Sequence, residues 1–248
     1  MSRIVFWTGP VNLNQVPGAT VPGAKAVNVP CTGDGSPTCG QLADSWGITI
    51  PGTASSDELF FGAFSAGGSA LKRLLLHPEV RAQTRAVMLS DATYTDWAAP
   101  GKPLPPEGFV VFGLEAIDGP KMMVATASAS PNKTLPNGSQ TLMSIKDEIE
   151  RRSGRKFDNV TLPVSPAPVQ AWRLGNVILA DYQMTVPHGG QAALAGQFWQ
   201  KLLVPWLASG AEAPEQTLTE EEFGWVVPFV AGATLGFLTT WTIYAFRS

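Results

Sequence analysis

Three polar residues far apart in the chain, Ser65, Asp91 and His188, have the types and the order that nucleophilic catalysis needs. A serine hydroxyl is a poor nucleophile at neutral pH until a neighbouring imidazole takes its proton. A carboxylate then orients that imidazole and steadies its charged form. Ser65 also stands in an informative context. The run Leu59-Phe60-Phe61-Gly62-Ala63-Phe64 is apolar and too short for a helix, and it ends at the serine. Ala66-Gly67-Gly68-Ser69-Ala70 follows, and then comes the helical pattern of Leu71-Lys72-Arg73-Leu74-Leu75-Leu76. A strand turns into a helix this sharply only where the neighbours are small, because the serine is strained and the backbones pack close. The hydroxyl then lies beside a helix N-terminus, whose N–H groups can stabilise an oxyanion. Ala63-Phe64-Ser65-Ala66-Gly67 is G-x-S-x-G with alanine at the first glycine. The same residues also suit a serine that only caps a helix in a Rossmann-like turn.

The chain has two histidines. His77, in Leu76-His77-Pro78-Glu79, reads as a helix-end residue that complements the helix dipole. His188 follows Tyr182-Gln183-Met184-Thr185-Val186-Pro187 and precedes Gly189-Gly190, in a loop from which a side chain reaches across a site or simply faces solvent. Asp91 is the expected acid, although Asp91-Ala92-Thr93-Tyr94 would also make a good turn. Asp96 is a nearby substitute, and Asp181 is less well placed. The strand ending at Ser128-Ala129-Ser130-Pro131-Asn132 supplies no carboxylate. Trp7, Phe64, Tyr94 and Trp97 gather near the same strand ends, where they either line an acyl or aromatic pocket or pack as core.

These residues need a scaffold, and the hydrophobic pattern predicts one. Strand-like runs at 4–8, 24–29, 59–64, 86–90, 122–127 and 177–182 alternate with helical patterns at 67–76, 108–116, 139–152 and 191–207. Such alternation implies a three-layer α/β/α sandwich with a mostly parallel sheet and helices on both faces. Ligands of such sheets sit at the carboxyl ends of the strands, where each candidate residue falls. A chain of 248 residues suits one α/β domain, 1–208, with an appendage.

A serine on a strand–helix elbow, an aspartate at a strand end and a histidine before the last helix together resemble the α/β-hydrolase fold, whose triad runs in that order. The likeness covers about residues 3–207, with no large lid insertion. It implies a carboxylic ester hydrolase, less readily an amidase, with Ser65 as nucleophile, His188 as general base and Asp91 as orienting acid. The oxyanion donors it implies are the Ala66 N–H and the turn after the first strand, at Gly9. Most members carry the acid one strand later than Asp91, but some carry it here. No cofactor is implied. Small-molecule, lipid and polymer esters all remain open as substrates.

Other classes compete. Ala63 in place of glycine and the irregular acid position would also fit a catalytically silent module tethered to a membrane or virion. A nucleotide-binding protein is disfavoured, because no G-x-G-x-x-G or P-loop lysine follows a strand. Net charge is −3, so no basic field attracts nucleic acid. Cys31 and Cys39 flank a turn-rich segment that suits a disulfide or two free thiols. Neither a histidine nor a second cysteine pair stands near them in sequence to complete a zinc site, so no metal is expected.

The far end of the chain has a different character. Residues 224–246 contain no charge and are long enough to span a bilayer, with Trp225 at one end and Trp241 and Tyr244 near the other. They read as a single-pass transmembrane helix behind an acidic linker, 209–223. Gly232 and Gly236 form a small-xxx-small pair through which two such helices would meet as a homodimer. Arg247 favours a cytoplasmic tail and an external domain. The N-terminus reads as a first strand, with no apolar stretch of signal-peptide length, and this favours the opposite side. The side is left open.

Overall fold

The computed structural model describes residues 2–11, 13–31, 38–46, 50, 52–131 and 134–210. The expected membrane span, its Gly232–Gly236 pair and all but the first residues of the linker therefore lie outside the described residues. Among the described residues, no helix is long and apolar enough to cross a membrane.

Eight strands form one sheet: β1 (Arg3–Gly9), β2 (Ala24–Pro30), β3 (Glu58–Phe64), β4 (Thr84–Ser90), β7 (Met122–Ala127), β8 (Asp158–Asn159), β9 (Gln170–Leu174) and β10 (Val177–Asp181). A separate two-stranded hairpin pairs β5 (Trp97–Ala99) with β6 (Lys102–Pro103). The sheet order is β2-β1-β3-β4-β7-β10-β9-β8. Neighbours from β2 through β10 are parallel, while β9 runs antiparallel to β10 and β8 antiparallel to β9. This mixed α/β sheet is consistent with α/β-hydrolase-like architecture.

Each strand divides its side chains between two cores, because successive residues point to opposite faces. From β1, Ile4 and Phe6 join Phe61, Leu71 and Leu142 on one face, while Val5 and Trp7 join Phe60, Phe198 and Trp199 on the other. The first face is covered by α1 (Cys39–Trp46), α2 (Gly67–Leu74), α4 (Glu107–Ala116) and α5 (Gly138–Ser153), with the short α3 (Pro78–Gln83) leading into β4. The second is covered by α6 (His188–Phe198), a π-helical turn at Trp199–Leu203 and α7 (Val204–Ala208). The helices expected at both faces are thus present.

Local chemistry explains the boundaries. Pro78 suits the first turn of a helix, where its missing N–H is not needed, so the segment after α2 restarts as α3. Asn137 and Gln140 cap α5 reciprocally, and Gly154, left-handed at φ 70°, closes it. Pro205 lacks the N–H that would continue the ladder of α6, and the helix widens to its π turn just ahead of it. Cys31 and Cys39 are disulfide-bonded, tying the exit of β2 to the first residue of α1. Of the two states open to that segment, the closed one is present.

Candidate active site

At the carboxyl end of β3 the chain reverses within two residues. Ser65 has φ 54°, a left-handed conformation that costs a residue with a side chain about 1–2 kcal/mol. The tight packing that enforces it is visible at the two glycines that follow. A Cβ on Gly67 would lie 2.2 Å from the Thr8 carbonyl oxygen, and one on Gly68 would lie 1.7 Å from that of Ala92. Ala63, where the motif usually has glycine, is fully buried in β3 opposite Thr8 and Leu89, and its methyl is accommodated. Ser65 is half-buried and Ala66 is exposed at the head of α2. The first N–H groups of a helix have no intrahelical acceptor, which leaves this end of α2 disposed towards an anion.

Asp91 follows β4 directly, has φ 42° and is fully buried. Its Oδ2 stands 2.8 Å from His188 Nδ1, and His188 Nε2 stands 2.9 Å from Ser65 Oγ. An ionised carboxylate only accepts hydrogen bonds, so Nδ1 carries the imidazole proton and Nε2 offers its lone pair to the serine O–H. The three side chains expected from their order in the chain therefore lie in one hydrogen-bonded line.

His188 is not a loop residue, as the sequence suggested, but the first residue of α6. Pro187 ahead of it suits a helix start, and the two glycines after it do not delay the helix. Its backbone N–H donates to Ser130 Oγ at 2.9 Å, which fixes the chain where the imidazole leaves it. The imidazole stacks on Phe64 with centroids 4.8 Å apart and an interplanar angle of 18°.

The aromatic residues divide by role. Phe64, 7 % exposed, is the platform under the imidazole. Tyr94 sets its hydroxyl 3.1 Å from His188 Nδ1, on the acid side of the ring. Burial, and then the Asp91 charge, hold the Tyr94 phenol above its usual range, so it stays protonated at neutral pH. Trp7 corrects the pocket expectation: it is fully buried, packs over Gly62 beside Trp199 and donates its indole N–H to the Ala19 carbonyl at 3.0 Å. The alternation of β1 turns position 7 into the core face covered by α6 and α7. Trp97 is partly exposed on β5 and donates to the Thr134 carbonyl.

The remaining candidates also have definite places. Gly9 ends β1 at φ 124°, so close to β3 that a Cβ there would lie 2.2 Å from the Phe64 carbonyl oxygen. A Cβ on Gly67 would likewise lie 2.8 Å from the Gly9 nitrogen, which puts the Gly9 amide against the elbow. The next residue, Pro10, has no N–H to give. Asp96 is exposed. Asp181 is engaged elsewhere, accepting from Ser139 Oγ at 2.5 Å and from the Gln183 N–H at 2.9 Å. His77 stands at the N-cap of α3. Among the described residues no three His, Cys, Asp or Glu side chains are grouped to hold a metal ion.

One further residue touches the acid, and a second touches that one. Ser128 Oγ donates to Asp91 Oδ2 at 2.5 Å, and the Ser128 N–H donates to Oδ1 at 3.1 Å. Ser130 Oγ lies 2.9 Å from Ser128 Oγ. Their only signal in the sequence was that two hydroxyls stand at a strand end where a carboxylate was sought. In comparisons with protein-family models, curated proteins and solved structures, nothing matches this chain.

Proposed function

We propose that the chain is a serine hydrolase of α/β-hydrolase type that cleaves a carboxylic ester through an acyl-enzyme. The observation that carries this reading is the unbroken line from Ser65 Oγ through His188 to Asp91, at 2.9 and 2.8 Å. As the Ser65 oxygen attacks the ester carbonyl carbon, its proton passes to His188 Nε2, and the imidazolium is steadied by Asp91. The carbonyl oxygen becomes an oxyanion facing the Ala66 N–H and the backbone at Gly9. Collapse expels the alcohol, which takes the proton from Nε2. Water, deprotonated by the same imidazole, then releases the acid and restores the serine. Amide cleavage is the less favoured variant. A silent module has no use for an imidazole held within hydrogen-bonding reach of a strained serine, and this favours the enzyme.

Within the same proposal, residues 224–246 anchor the domain to a bilayer as a single helix. A fluorophosphonate probe tests both parts. It should label the full chain and not Ser65→Ala. The labelled protein should float with membranes, and truncation after residue 208 should release it. Failure of the wild type to label in any detergent would overturn the catalytic reading, and soluble full-length protein would overturn the anchor.

A further inference from the structure

We infer that Ser128 is a positioning residue for the acid: its hydroxyl and amide hold the Asp91 carboxylate in line with His188, and Ser130 ties that pair to the backbone of His188. The inference rests on the serine-hydrolase reading. It begins from the sheet, because β4 and β7 are in-register parallel neighbours with Ser90 opposite Thr126. The first residues beyond β4 therefore lie beside the first residues beyond β7. Asp91 is the first residue beyond β4 and Ser128 the first beyond β7, and the Asp91 N–H donates to the Thr126 carbonyl.

The hydrogen bonds that Ser128 and His188 make on this carboxylate run the same way, and the Tyr94 hydroxyl, 3.1 Å from His188 Nδ1, lies beside them. Oδ1 of Asp91 accepts the Ser128 N–H, while Oδ2 accepts both the Ser128 hydroxyl and His188 Nδ1–H. The single hydroxyl proton of Ser128 is used on Asp91, so toward Ser130 it accepts, and the Ser130 hydroxyl is the donor. Ser130 Oγ in turn accepts the His188 backbone N–H. A second chain of hydrogen bonds thus runs from the His188 backbone through two serines to the same carboxylate oxygen that the imidazole contacts. It ties that carboxylate oxygen to the backbone from which the imidazole springs. Space has been left for it. A Cβ on Gly138, the first residue of α5, would lie 2.1 Å from Asp91 Oδ1, and the capped N-terminus of α5 faces the buried charge. The Ser139 N–H donates to the Ser128 carbonyl at 2.9 Å, which locks Ser128 to the same helix end.

Removing the hydroxyl leaves Oδ2 of Asp91 with His188 alone of these two partners and Oδ1 with the Ser128 amide, so the carboxylate is held less firmly in line. A hydrogen bond to a buried charge is among the stronger ones, so Ser128→Ala should lower kcat about tenfold to hundredfold with KM within about twofold. Ser130→Ala, one bond further away, should lose less, about threefold to tenfold. In an Asp91→Asn background Ser128→Ala should cost little more, since residues acting as a unit are not additive. The accompanying readout is the downfield proton resonance of His188 Nδ1–H in protein labelled with 15N-histidine. With two histidines in the chain it is assigned by comparison with His77→Ala. It should move in Ser128→Ala and, less, in Ser130→Ala. Kcat and resonance both unchanged in folded Ser128→Ala and Ser130→Ala would overturn the inference, as would a loss confined to thermal stability. If the wild type neither hydrolyses p-nitrophenyl butyrate nor takes the fluorophosphonate, the enzymatic reading fails. The resonance then decides alone: a shift in Ser128→Ala supports the positioning role and its absence overturns it.

Discussion

Ser65 and Asp91 both hold left-handed backbone at positions where glycine would be relaxed, and in each the side chain is one that the hydrogen-bonded line requires. Strain of this kind persists only where the surroundings over-determine it. Here the surroundings are the Thr8 and Ala92 carbonyls pressed against Gly67 and Gly68. Comparing two variants that both lack the hydroxyl isolates the backbone contribution. Ser65→Gly should be more stable than Ser65→Ala by about 1 kcal/mol, because alanine keeps the unfavourable φ and glycine does not. Urea denaturation of the two proteins measures it, and equal midpoints would mean that the elbow is unstrained. Glycine at 65 should nonetheless be inert towards the probe.

Among the elements, α5 carries the heaviest electrostatic duty, with its head towards Asp91 and its tail organised by Glu150. Burial opposes the charge on Glu150. Hydrogen bonds from Lys146 Nζ at 2.8 Å, Lys156 Nζ at 2.7 Å and the Phe157 N–H at 3.2 Å overcome it and bring the carboxyl to about 2. A carboxyl held below its unfolded value favours the folded state above pH 4.5, and that advantage drains away as the pH falls towards 2. Lys156 is largely exposed and its share is screened, so Glu150→Gln should cost about 1–2 kcal/mol at neutral pH. The gap between wild type and variant should close in acid. Thermal melts at pH 7 and pH 3 check this, and a gap that stayed constant would show the charge to be idle. The element scale is also where sequence patterns were most and least informative. Leu59–Phe64 is apolar throughout and Met122–Ala127 is apolar except for the buried Thr126, because both of their faces are covered, and that signature is visible without coordinates. By contrast, Gln170–Leu174 is five residues of mixed character between β10 and the two-residue edge strand β8, paired to β10 through the Gly175-Asn176 turn rather than by a hydrophobic run. The helix Cys39–Trp46 follows a turn-rich segment that masks its start.

Across the whole molecule, the order of serine, acid and base was readable because chain order and strand ends together confine where each can stand. Which neighbours touch them was not. Ser128 meets Asp91 across 37 residues of sequence through strand register alone, and Trp7 leaves the site through the two-residue alternation of a strand whose facing helices lie far along the chain. The placement of β3 has a further consequence. It is flanked on both sides by full-length parallel partners, β1 and β4. The helix bearing His188 is clasped to β4 through the Ser90 hydroxyl on the Gln191 carbonyl. The groups of the hydrogen-bonded line therefore ride on, or are clasped to, strands paired on both sides, so warming should dissolve their alignment and the tertiary structure in one cooperative event. Deuterium uptake at the amides of 59–64 and 86–90 should then proceed only through global opening.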